Sequence, residues 1–416
     1  MNVHVKWGTK KIDLVLHPDK PIVKFMEDLQ KLTGVPLNRQ KLAMKRKPIK
    51  PEGNWDPNDV KEGMQFMLIG TAELPPVPLE TQEEEVPIAT ESDEINPLED
   101  PNIMIGLHNF GNTCYLNACL QTLRNLPKFA EICKASDPPN TPGNNMLAHS
   151  FCDLLRNFPA RLPDFIATLR RFNPMFAEQD PVTHVPRQQD ASEAWGCILT
   201  ALIGSLGSQI KDLFSIGYAV RETCPELDGL TRTIEDTDDR LRCFITQETK
   251  QIEFGISMDA ILEREDKTLG RNVLWNTHRA ITKLPPYLTV QMMRFTFKKD
   301  ENLVAKICRK VDIPMRLDTL EWLAPALRAR VAKKREDAVL IKSNAGFYRL
   351  KAVLTHRGRS ADSGHYITHV RFEDQWVRYD DEKVKEVSEE DIAALSGSGD
   401  WHTSFILIYE AYDEPY

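Results

Sequence analysis

The sequence lacks paired cysteines, long apolar runs and an excess of positive charge, and each absence excludes a class of protein. Its 8 cysteines are scattered with no C-x-x-C pair, which argues against a disulfide framework and indicates free thiols. No apolar run approaches the ~18 residues that a membrane span needs, and Met1–Trp7 lacks the apolar core of a signal peptide. With 61 acidic against 53 basic side chains, nucleic acid is disfavoured as a partner.

The remaining composition is that of an ordinary globular protein. A length of 416 residues predicts two or three domains. Hydrophobic residues make up 41% and charged residues 27% of the chain, both within the usual range for a soluble domain. We therefore expect an intracellular protein of the cytoplasm, and a nuclear location remains an alternative. We expect no membrane or nucleic-acid partner.

Cys114 is the candidate nucleophile. It directly precedes an apolar-periodic segment with Leu116, Leu120 and Leu123, which predicts an amphipathic helix over residues 114–125. A thiol at a helix N-terminus lies beside unpaired N–H groups and the positive end of the dipole, which favours the thiolate. The thiolate is the attacking form. Cys119 falls in the apolar stripe and should be buried and inert.

A histidine and a carboxylate far downstream complete a candidate triad. His365 lies in Gly364-His365-Tyr366, and Asp380 and Asp381 end the run that begins at Trp376. Groups this far apart meet only through the fold. We expect His365 to pair with the thiolate and protonate the leaving amine, and Asp380 to orient the imidazole through Nδ1–H. Asp381 is the alternative, and strand alternation lets at most one carboxylate face the histidine.

These segments carry a resemblance to a known family. The stretch Gly106-Leu-His-Asn-Phe-Gly-Asn-Thr-Cys-Tyr-Leu-Asn117 resembles the cysteine box of the ubiquitin-specific proteases, and Gly364–Tyr366 with the Trp-x-x-Tyr-Asp run resembles their histidine box. Gln188–Glu193 and Leu284–Phe295 are similar to two further elements of the family, in the same order. Together the four matches cover most of residues 104–416.

The resemblance implies a fold and an activity. The fold is an α+β, papain-like cysteine protease domain with thumb, palm and β-rich fingers that grip ubiquitin. The reaction is hydrolysis of the isopeptide or peptide bond after the C-terminal glycine of ubiquitin, on ubiquitin chains or polyubiquitinated proteins.

The same resemblance assigns supporting residues. The amide of Asn109, with the Cys114 backbone N–H, would hold the oxyanion. Gln189, Asp190, Gly364 and Tyr366 would contact the substrate. Asp190 is equally well placed to cap the helix that follows it. Ser192 stands where the family often has histidine.

Many relatives hold a structural zinc in the fingers with two C-x-x-C pairs. Here only Cys224 and Cys243 fall in that region, and two thiols cannot supply four ligands. We therefore expect no metal and no cofactor, and fingers held by packing alone.

Residues 1–72 form a separate N-terminal domain. Asn2–Trp7 and Ile12–His17 alternate as a β-hairpin, residues 21–32 show helical spacing, and Lys41–Met44 and Met64–Ile69 are short strands. This order resembles ubiquitin, so a β-grasp, ubiquitin-like domain is expected. It lacks a Gly-Gly tail, which favours a fixed docking module. A small β-grasp fold without a partner is the alternative.

Residues 73–103 read as a linker and residues 104–416 as the catalytic domain. The linker is acidic, rich in proline and free of lysine and arginine, as mobile tethers are. In the catalytic domain helical patterns dominate 114–125, 146–158, 163–172 and 190–204, and strand-like segments dominate 241–310 and 346–410. The basic helical stretch 317–335 is a solvated insertion or a site for an acidic partner.

An N-terminal ubiquitin-like domain on such a catalytic unit is similar to the proteasome-associated member of the family. The resemblance implies docking on the proteasome regulatory particle and a cleft blocked by loops, one of them Ser396–His402. A non-catalytic ubiquitin-binding adaptor and a general papain-like protease are the rival interpretations.

Overall fold

The computed structural model describes residues 1–7, 10–33, 37, 41–44, 47–49, 55, 60–69, 102–181, 184–266, 270–298, 303–337, 343–360, 363–397 and 401–412. They fall into two compact units, Met1–Ser92 and Asp93–Tyr416. The division lies inside the segment predicted as a linker. Residues 73–101 of that linker and residues 398–400 of the predicted blocking loop lie outside the described residues.

The N-terminal unit is the predicted β-grasp fold. Its strands are β1 (Asn2–Trp7), β2 (Lys10–Val15), β3 (Lys41–Met44), β4 (Lys47–Ile49) and β5 (Gln65–Ile69), arranged β2-β1-β5-β3-β4 around helix α1 (Ile22–Thr33). β1 pairs antiparallel with β2 and parallel with β5. The apolar face of α1 covers the sheet through Phe25, whose ring lies 5.5 Å from that of Phe66 on β5. β4 was not predicted; it contains Pro48 and lies at the sheet edge, where a missing N–H is tolerated.

In the larger unit helices come first and form the thumb. They are α2 (Cys114–Arg124), α3 (Pro127–Ala135), α4 (Asn144–Arg156), α5 (Leu162–Phe172), α6 (Ala191–Leu206) and α7 (Ser208–Phe214). The four predicted helices are confirmed to within two residues at each end. α3 was missed although Pro127 occupies its first turn, a position that favours helix initiation.

The palm is a sheet with the strand order β18-β17-β16-β15-β19-β11-β8, with β14 also paired to β15. Its strands are β8 (Leu241–Phe244), β11 (Tyr287–Met293), β14 (Arg316–Asp318), β15 (Phe347–Ser360), β16 (Ser363–Phe372), β17 (Gln375–Asp380), β18 (Lys383–Val387) and β19 (Thr403–Ala411). α2 packs on β16, where the buried hydroxyls of Thr122 and Thr368 lie 2.8 Å apart. The helix that begins at Cys114 therefore packs on the strand that carries His365.

The fingers are a sheet with the order β7-β6-β10-β9, built from β6 (Ile216–Cys224), β7 (Leu230–Asp238), β9 (Asp259–Asp266) and β10 (Arg271–Lys283). Strands therefore begin at residue 216, earlier than the predicted 241. β7 was missed because its side chains are nearly all exposed, so the segment shows no alternation of apolar and polar residues.

Packing alone does not hold the fingers, so that prediction is wrong. Cys224 is buried against Val273 and Trp275 without a metal-ligand partner in this cluster. The Glu222 carboxylate, whose side chain is 1% exposed, accepts both Arg264 Nη atoms at 2.6 and 2.9 Å and Arg232 Nε at 2.6 Å. These hydrogen bonds, above all those of Arg264, lower the pKa of Glu222. A buried ion-pair network thus links β6, β7 and β9.

The remaining elements are short. They are α8 (Ile252–Gly255), the hairpin of β12 (Phe295–Lys298) and β13 (Leu303–Lys306), α9 (Pro325–Glu336) and α10 (Glu389–Ala394). The predicted helical stretch 317–335 contains β14, a 3-10 turn and then α9. On α9, Arg328 pairs with Glu321, and both Nη atoms of Arg335 donate to the Asp318 carboxylate. Its basic face is therefore partly neutralised. Among the described residues, every helix falls short of the length or the apolar character that a membrane crossing requires.

Candidate active site

Cys114 is the first residue of α2, as predicted. The turn before it carries two residues in the left-handed region, Gly111 at φ 82° and Asn112 at φ 54°. The Asn112 amide donates to the Pro186 carbonyl at 2.8 Å, which fixes this turn against the loop before α6. Cys114 is only 2% exposed. The start of α2 is therefore buried.

His365 joins the thiol to a carboxylate. Its Nε2 lies 2.7 Å from Asp380 Oδ1, and the Cys114 sulfur lies close enough to act on the protonation of the ring. The hydrogen bond with Asp380, and then the nearby Cys114 sulfur, raise the pKa of His365 to about 10, against the opposing effect of burial. The imidazolium is therefore the favoured form beside the sulfur.

The ring nitrogen that meets Asp380 is Nε2, so the prediction of an Nδ1–H contact is wrong. β16 and β17 are antiparallel with Thr368 opposite Tyr379, and this register places the carboxylate beside the outer edge of the ring. Nδ1 is then the nitrogen left for the sulfur. Sequence spacing carries no information on which edge of an imidazole faces which partner.

Asp380 is held from its other side by Arg378. Arg378 Nη2 donates to Asp380 Oδ2 at 2.6 Å. The hydrogen bond to His365 is the largest of the influences that keep the pKa of Asp380 far below its usual value. Arg378 was not singled out from the sequence. Its position two residues before Asp380, on the same face of β17, was the available signal.

Asp381 faces a different pair of residues. It lies at φ 53°, so the backbone leaves the strand there. Its Oδ2 accepts from Asn109 Nδ2 and its Oδ1 from Asn117 Nδ2, both at 2.8 Å. Asn117 was missed, although it follows Cys114 by three residues and therefore lies on the same helix face.

Asn109 is fixed at both ends of its amide. Its Oδ1 accepts from the Thr113 backbone N–H at 3.1 Å, while Nδ2 donates to Asp381. An amide NH₂ has two hydrogens, so one remains for a further acceptor near the start of α2. This orientation suits a donor to developing negative charge.

The substrate-contact residues differ in placement. Asp190 caps α6, accepting the Ser192 N–H at 2.6 Å, and burial raises its pKa to about 6. The capping interpretation therefore applies in this structure. Gln189 is half-buried just before it. The Tyr366 ring is 1% exposed and packs on His356 at 4.6 Å, and its contact with substrate stays a prediction.

Gly364 is constrained by the neighbouring strand. It has φ 143°, and a Cβ there would lie 2.0 Å from the Arg357 carbonyl oxygen and 2.5 Å from His356 Nε2. Glycine is required at this position because β15 passes so close. A role in passing substrate is additional to this requirement and stays a prediction.

The rival groups are accounted for. Cys119 is fully buried, its sulfur 3.2 Å from the Ala191 carbonyl, and burial raises its pKa. His108 is exposed and pairs with Glu382. His369 is buried, and burial lowers its pKa to about 4. None of these three residues has the contacts that Cys114 and His365 have.

One residue close to the site was predicted only as the last residue of the blocking loop Ser396–His402. The His402 ring lies edge-on to His365 with centroids 5.9 Å apart, and its Nδ1 is 3.1 Å from the Thr355 hydroxyl. Burial lowers its pKa far below the usual value, so it is a neutral neighbour of the charged His365.

A metal would compete with this arrangement. Ligand atoms of His365, Asp380 and Asp381 lie within 4.8 Å of one another. Hydrogen bonds from Arg378, Asn109 and Asn117 already occupy the two carboxylates. The predicted absence of a metal stays a prediction.

Comparisons with known proteins agree with this geometry. The family model described as ubiquitin carboxyl-terminal hydrolase matches residues 105–409. The chain is similar to ubiquitin carboxyl-terminal hydrolase 6 of Arabidopsis thaliana, with 32% identity over 98% of each chain. It is also similar to ubiquitin carboxyl-terminal hydrolase 14 of Caenorhabditis elegans, with 29% identity over 98% of this chain and 93% of that protein.

A solved structure shares the fold. A chain of the SAGA Ubp8/Sgf11/Sus1/Sgf73 DUB module bound to ubiquitin aldehyde superposes with a TM-score of 0.58 and 18% identity, covering 76% of this chain and 71% of its own length. The α+β architecture with thumb, palm and fingers is thereby confirmed.

Proposed function

The chain belongs to the ubiquitin carboxyl-terminal hydrolase family and is a cysteine-type deubiquitinase, and we propose that Cys114, His365 and Asp380 carry its reaction. The observation that supports this assignment is the position of His365, which is hydrogen-bonded to Asp380 and lies near the Cys114 sulfur.

The Cys114 thiolate attacks the carbonyl carbon of the last ubiquitin residue and forms a tetrahedral intermediate. His365, charged beside the sulfur, gives its proton to the leaving amine, and the C–N bond breaks to leave a thioester. The now neutral imidazole takes a proton from water, which attacks the thioester carbonyl; the C–S bond then breaks, which releases ubiquitin and restores the thiolate beside the imidazolium. Asp380 holds the ring in place and favours its charged form through both steps.

The oxyanion of each intermediate accepts from the Cys114 backbone N–H and from Asn109 Nδ2. The support is the double anchoring of the Asn109 amide by Thr113 and Asp381. Losing one such donor costs about 100- to 1,000-fold in rate.

Labelling with a ubiquitin C-terminal electrophile tests the nucleophile. Full-length protein should gain one ubiquitin, located at Cys114 by peptide mass spectrometry, and Cys114→Ala should gain none. Cys197→Ala, which changes a thiol that is also in the larger unit and only partly buried, should label like wild type. Labelling that survives in Cys114→Ala would refute the assignment. A folded wild-type protein without labelling would favour the non-catalytic adaptor instead.

We further propose that the N-terminal unit docks the enzyme on the proteasome regulatory particle, in the cytoplasm and nucleus. The unit has a hydrophobic core of its own, and the plant and nematode relatives align over 98% of this chain, which includes this unit. Removing residues 1–72 should abolish co-sedimentation with purified proteasomes. Retained co-sedimentation would contradict the docking role without affecting the catalytic assignment.

The free enzyme should be slow and the docked enzyme faster. The support is the low exposure of Cys114, at 2%, which requires local opening before a peptide tail can reach the sulfur. Rates on a ubiquitin–fluorophore with and without proteasomes measure this effect. Equal rates would exclude activation by docking.

A further inference from the structure

A second cavity lies away from the active site in the larger unit. It has a volume of about 780 Å³ and is bounded by the last turns of α2 and α4, by α3, and by strands β15 and β16. Ligand pockets commonly measure about 300–1,000 Å³. The cavity is therefore large enough for a small molecule and too small for a folded domain.

The wall of this cavity is strongly cationic. Arg124, Lys134, Arg156 and Lys351 line it, against one carboxylate from Glu131. The chain as a whole has a net charge of −8, so the cluster runs against the average charge of the molecule. Like charges gathered in one concavity repel one another unless an anion joins them.

Three of the four cations are held in place by the fold. The Arg124 guanidinium stacks 4.0 Å from the Phe158 ring centroid. Arg156 donates to Asp137 at 3.2 Å and to the Ser136 carbonyl. Lys351 is 7% exposed, donates to the Arg371 carbonyl and lies 5.2 Å from the Phe372 ring centroid. These contacts leave the three side chains little freedom to lose on binding.

Burial lowers the pKa of Lys351 to about 8. Burial therefore disfavours the ammonium form, and an anion beside it would favour that form.

We propose that this cavity binds a small molecule that carries two or more phosphate groups. Guanidinium groups match phosphate oxygens in a two-pronged geometry, and lysines add point charges. The aromatic rings of Phe158 and Phe372 leave an apolar wall for the remainder of the molecule. Free inositol polyphosphates and nucleotides share this chemistry.

The cavity is connected to the active site through Tyr379. The Tyr379 hydroxyl donates to the Ile103 carbonyl at 2.8 Å and accepts from Asn125 Nδ2 at 3.4 Å. Ile103 and Asn125 both line the cavity, and Tyr379 directly precedes Asp380. A molecule bound in the cavity would therefore contact residues that hold β17, the strand whose Asp380 orients His365.

Titration calorimetry on the full-length protein tests the proposal. Inositol hexakisphosphate and ATP are titrated separately at physiological ionic strength, with sodium sulfate at matched ionic strength as the comparison. We expect saturable 1:1 binding of at least one phosphate compound, and none with sulfate. The difference between the two compounds identifies the source of the phosphates.

Charge-reversed variants locate the site. Lys134→Glu changes an exposed side chain of the cavity and should weaken binding about tenfold or more. Lys128→Glu makes the same change on the same helix outside the cavity and should stay within about twofold. Circular dichroism verifies that both variants are folded.

Three outcomes would overturn the proposal. They are the absence of saturable binding, an equal loss in Lys134→Glu and Lys128→Glu, and tighter binding of a poly-glutamate peptide than of either phosphate compound. The last result would assign the cavity to an acidic peptide. All readouts are binding measurements, so they are independent of deubiquitinase activity.

Discussion

Asp380 and Asp381 are adjacent carboxylates with separate partners. Asp380 continues the extended backbone of β17 and meets His365, while Asp381 turns to φ 53° and meets Asn109 and Asn117. One carboxylate thus acts on the ring that moves protons. The other acts on the amide proposed to hold the oxyanion.

Asp381→Asn should lower kcat about 100-fold with KM changed less than about threefold. The new amide can accept at only one oxygen, so Asn109 or Asn117 loses its partner and the oxyanion donor is misplaced. Steady-state hydrolysis of a ubiquitin–fluorophore measures both constants. Glu386→Gln, at an exposed position of β18, is the control and should match wild type. A kcat within threefold of wild type would remove Asp381 from this role.

The pH dependence of kcat/KM reports on His365. Its pKa is raised to about 10, so the imidazolium persists through neutral pH and activity should fall only as pH rises towards about 10. Asp380→Asn removes the largest cause of that raised pKa, so the alkaline fall should move to lower pH. Asp381→Asn should leave its midpoint in place.

Rates measured from pH 6 to 10.5 with free enzyme and limiting substrate check this prediction. The stability of the fold also decreases as pH rises through the pKa of His365. A raised folded-state pKa stabilises the fold below the ordinary histidine pKa of about 6.5, and this contribution is lost as pH rises towards 10. An Asp380→Asn profile identical to that of wild type would contradict the assignment of Asp380.

At the scale of elements, one buried carboxylate joins three strands of the finger sheet. Glu222 on β6 is buried at the centre, and Arg232 on β7 and Arg264 on β9 reach it from outside. The Arg232 guanidinium also lies 4.6 Å from the Trp275 ring centroid. The two arginine side chains are 48% and 37% exposed. The free-energy cost of desolvating this network is therefore smaller than that of a fully buried one.

Glu222→Gln should lower the free energy of unfolding by about 1–3 kcal/mol, because a buried acceptor of charged hydrogen bonds is replaced by a neutral amide. Urea denaturation measures this change. Glu235→Gln, on the exposed face of β7, is the matched control and should stay within about 0.5 kcal/mol. Equal stability of the two variants would show that the network contributes nothing.

Chelation should leave the fingers intact. The described residues of the finger sheet offer Cys224 in an apolar cluster and an ion-pair network, which is not a zinc-ligand set. Thermal unfolding with and without 1,10-phenanthroline should give the same midpoint within about 1 °C. A large drop would reveal a metal that contributes to stability.

At the scale of the whole molecule, each unit has a core of its own. Deleting residues 1–72 should therefore leave kcat/KM on ubiquitin–fluorophore within about threefold of the full-length value. Circular dichroism and steady-state kinetics check fold and activity together. A loss of more than tenfold with retained fold would show that the N-terminal unit takes part in catalysis.

Local pattern predicted well the elements whose apolar spacing is regular. The start of α2 at Cys114 and the span of α6 followed from helical periodicity. β7 could not be predicted this way, since its side chains are nearly all exposed. Its place in the fold comes from backbone pairing with β6, which leaves no trace in hydrophobicity.

By itself the sequence determined the chemical groups of the site, because thiol, imidazole and carboxylate at Cys114, His365 and Asp380 are properties of single residues. Only the tertiary structure decided which atoms meet. The Nε2 contact of His365 and the Asn109–Asp381 bond, across 272 residues, depend on strand register and on one left-handed backbone angle. A hydrogen bond tolerates only a few tenths of an ångström, and that precision arises when distant elements pack.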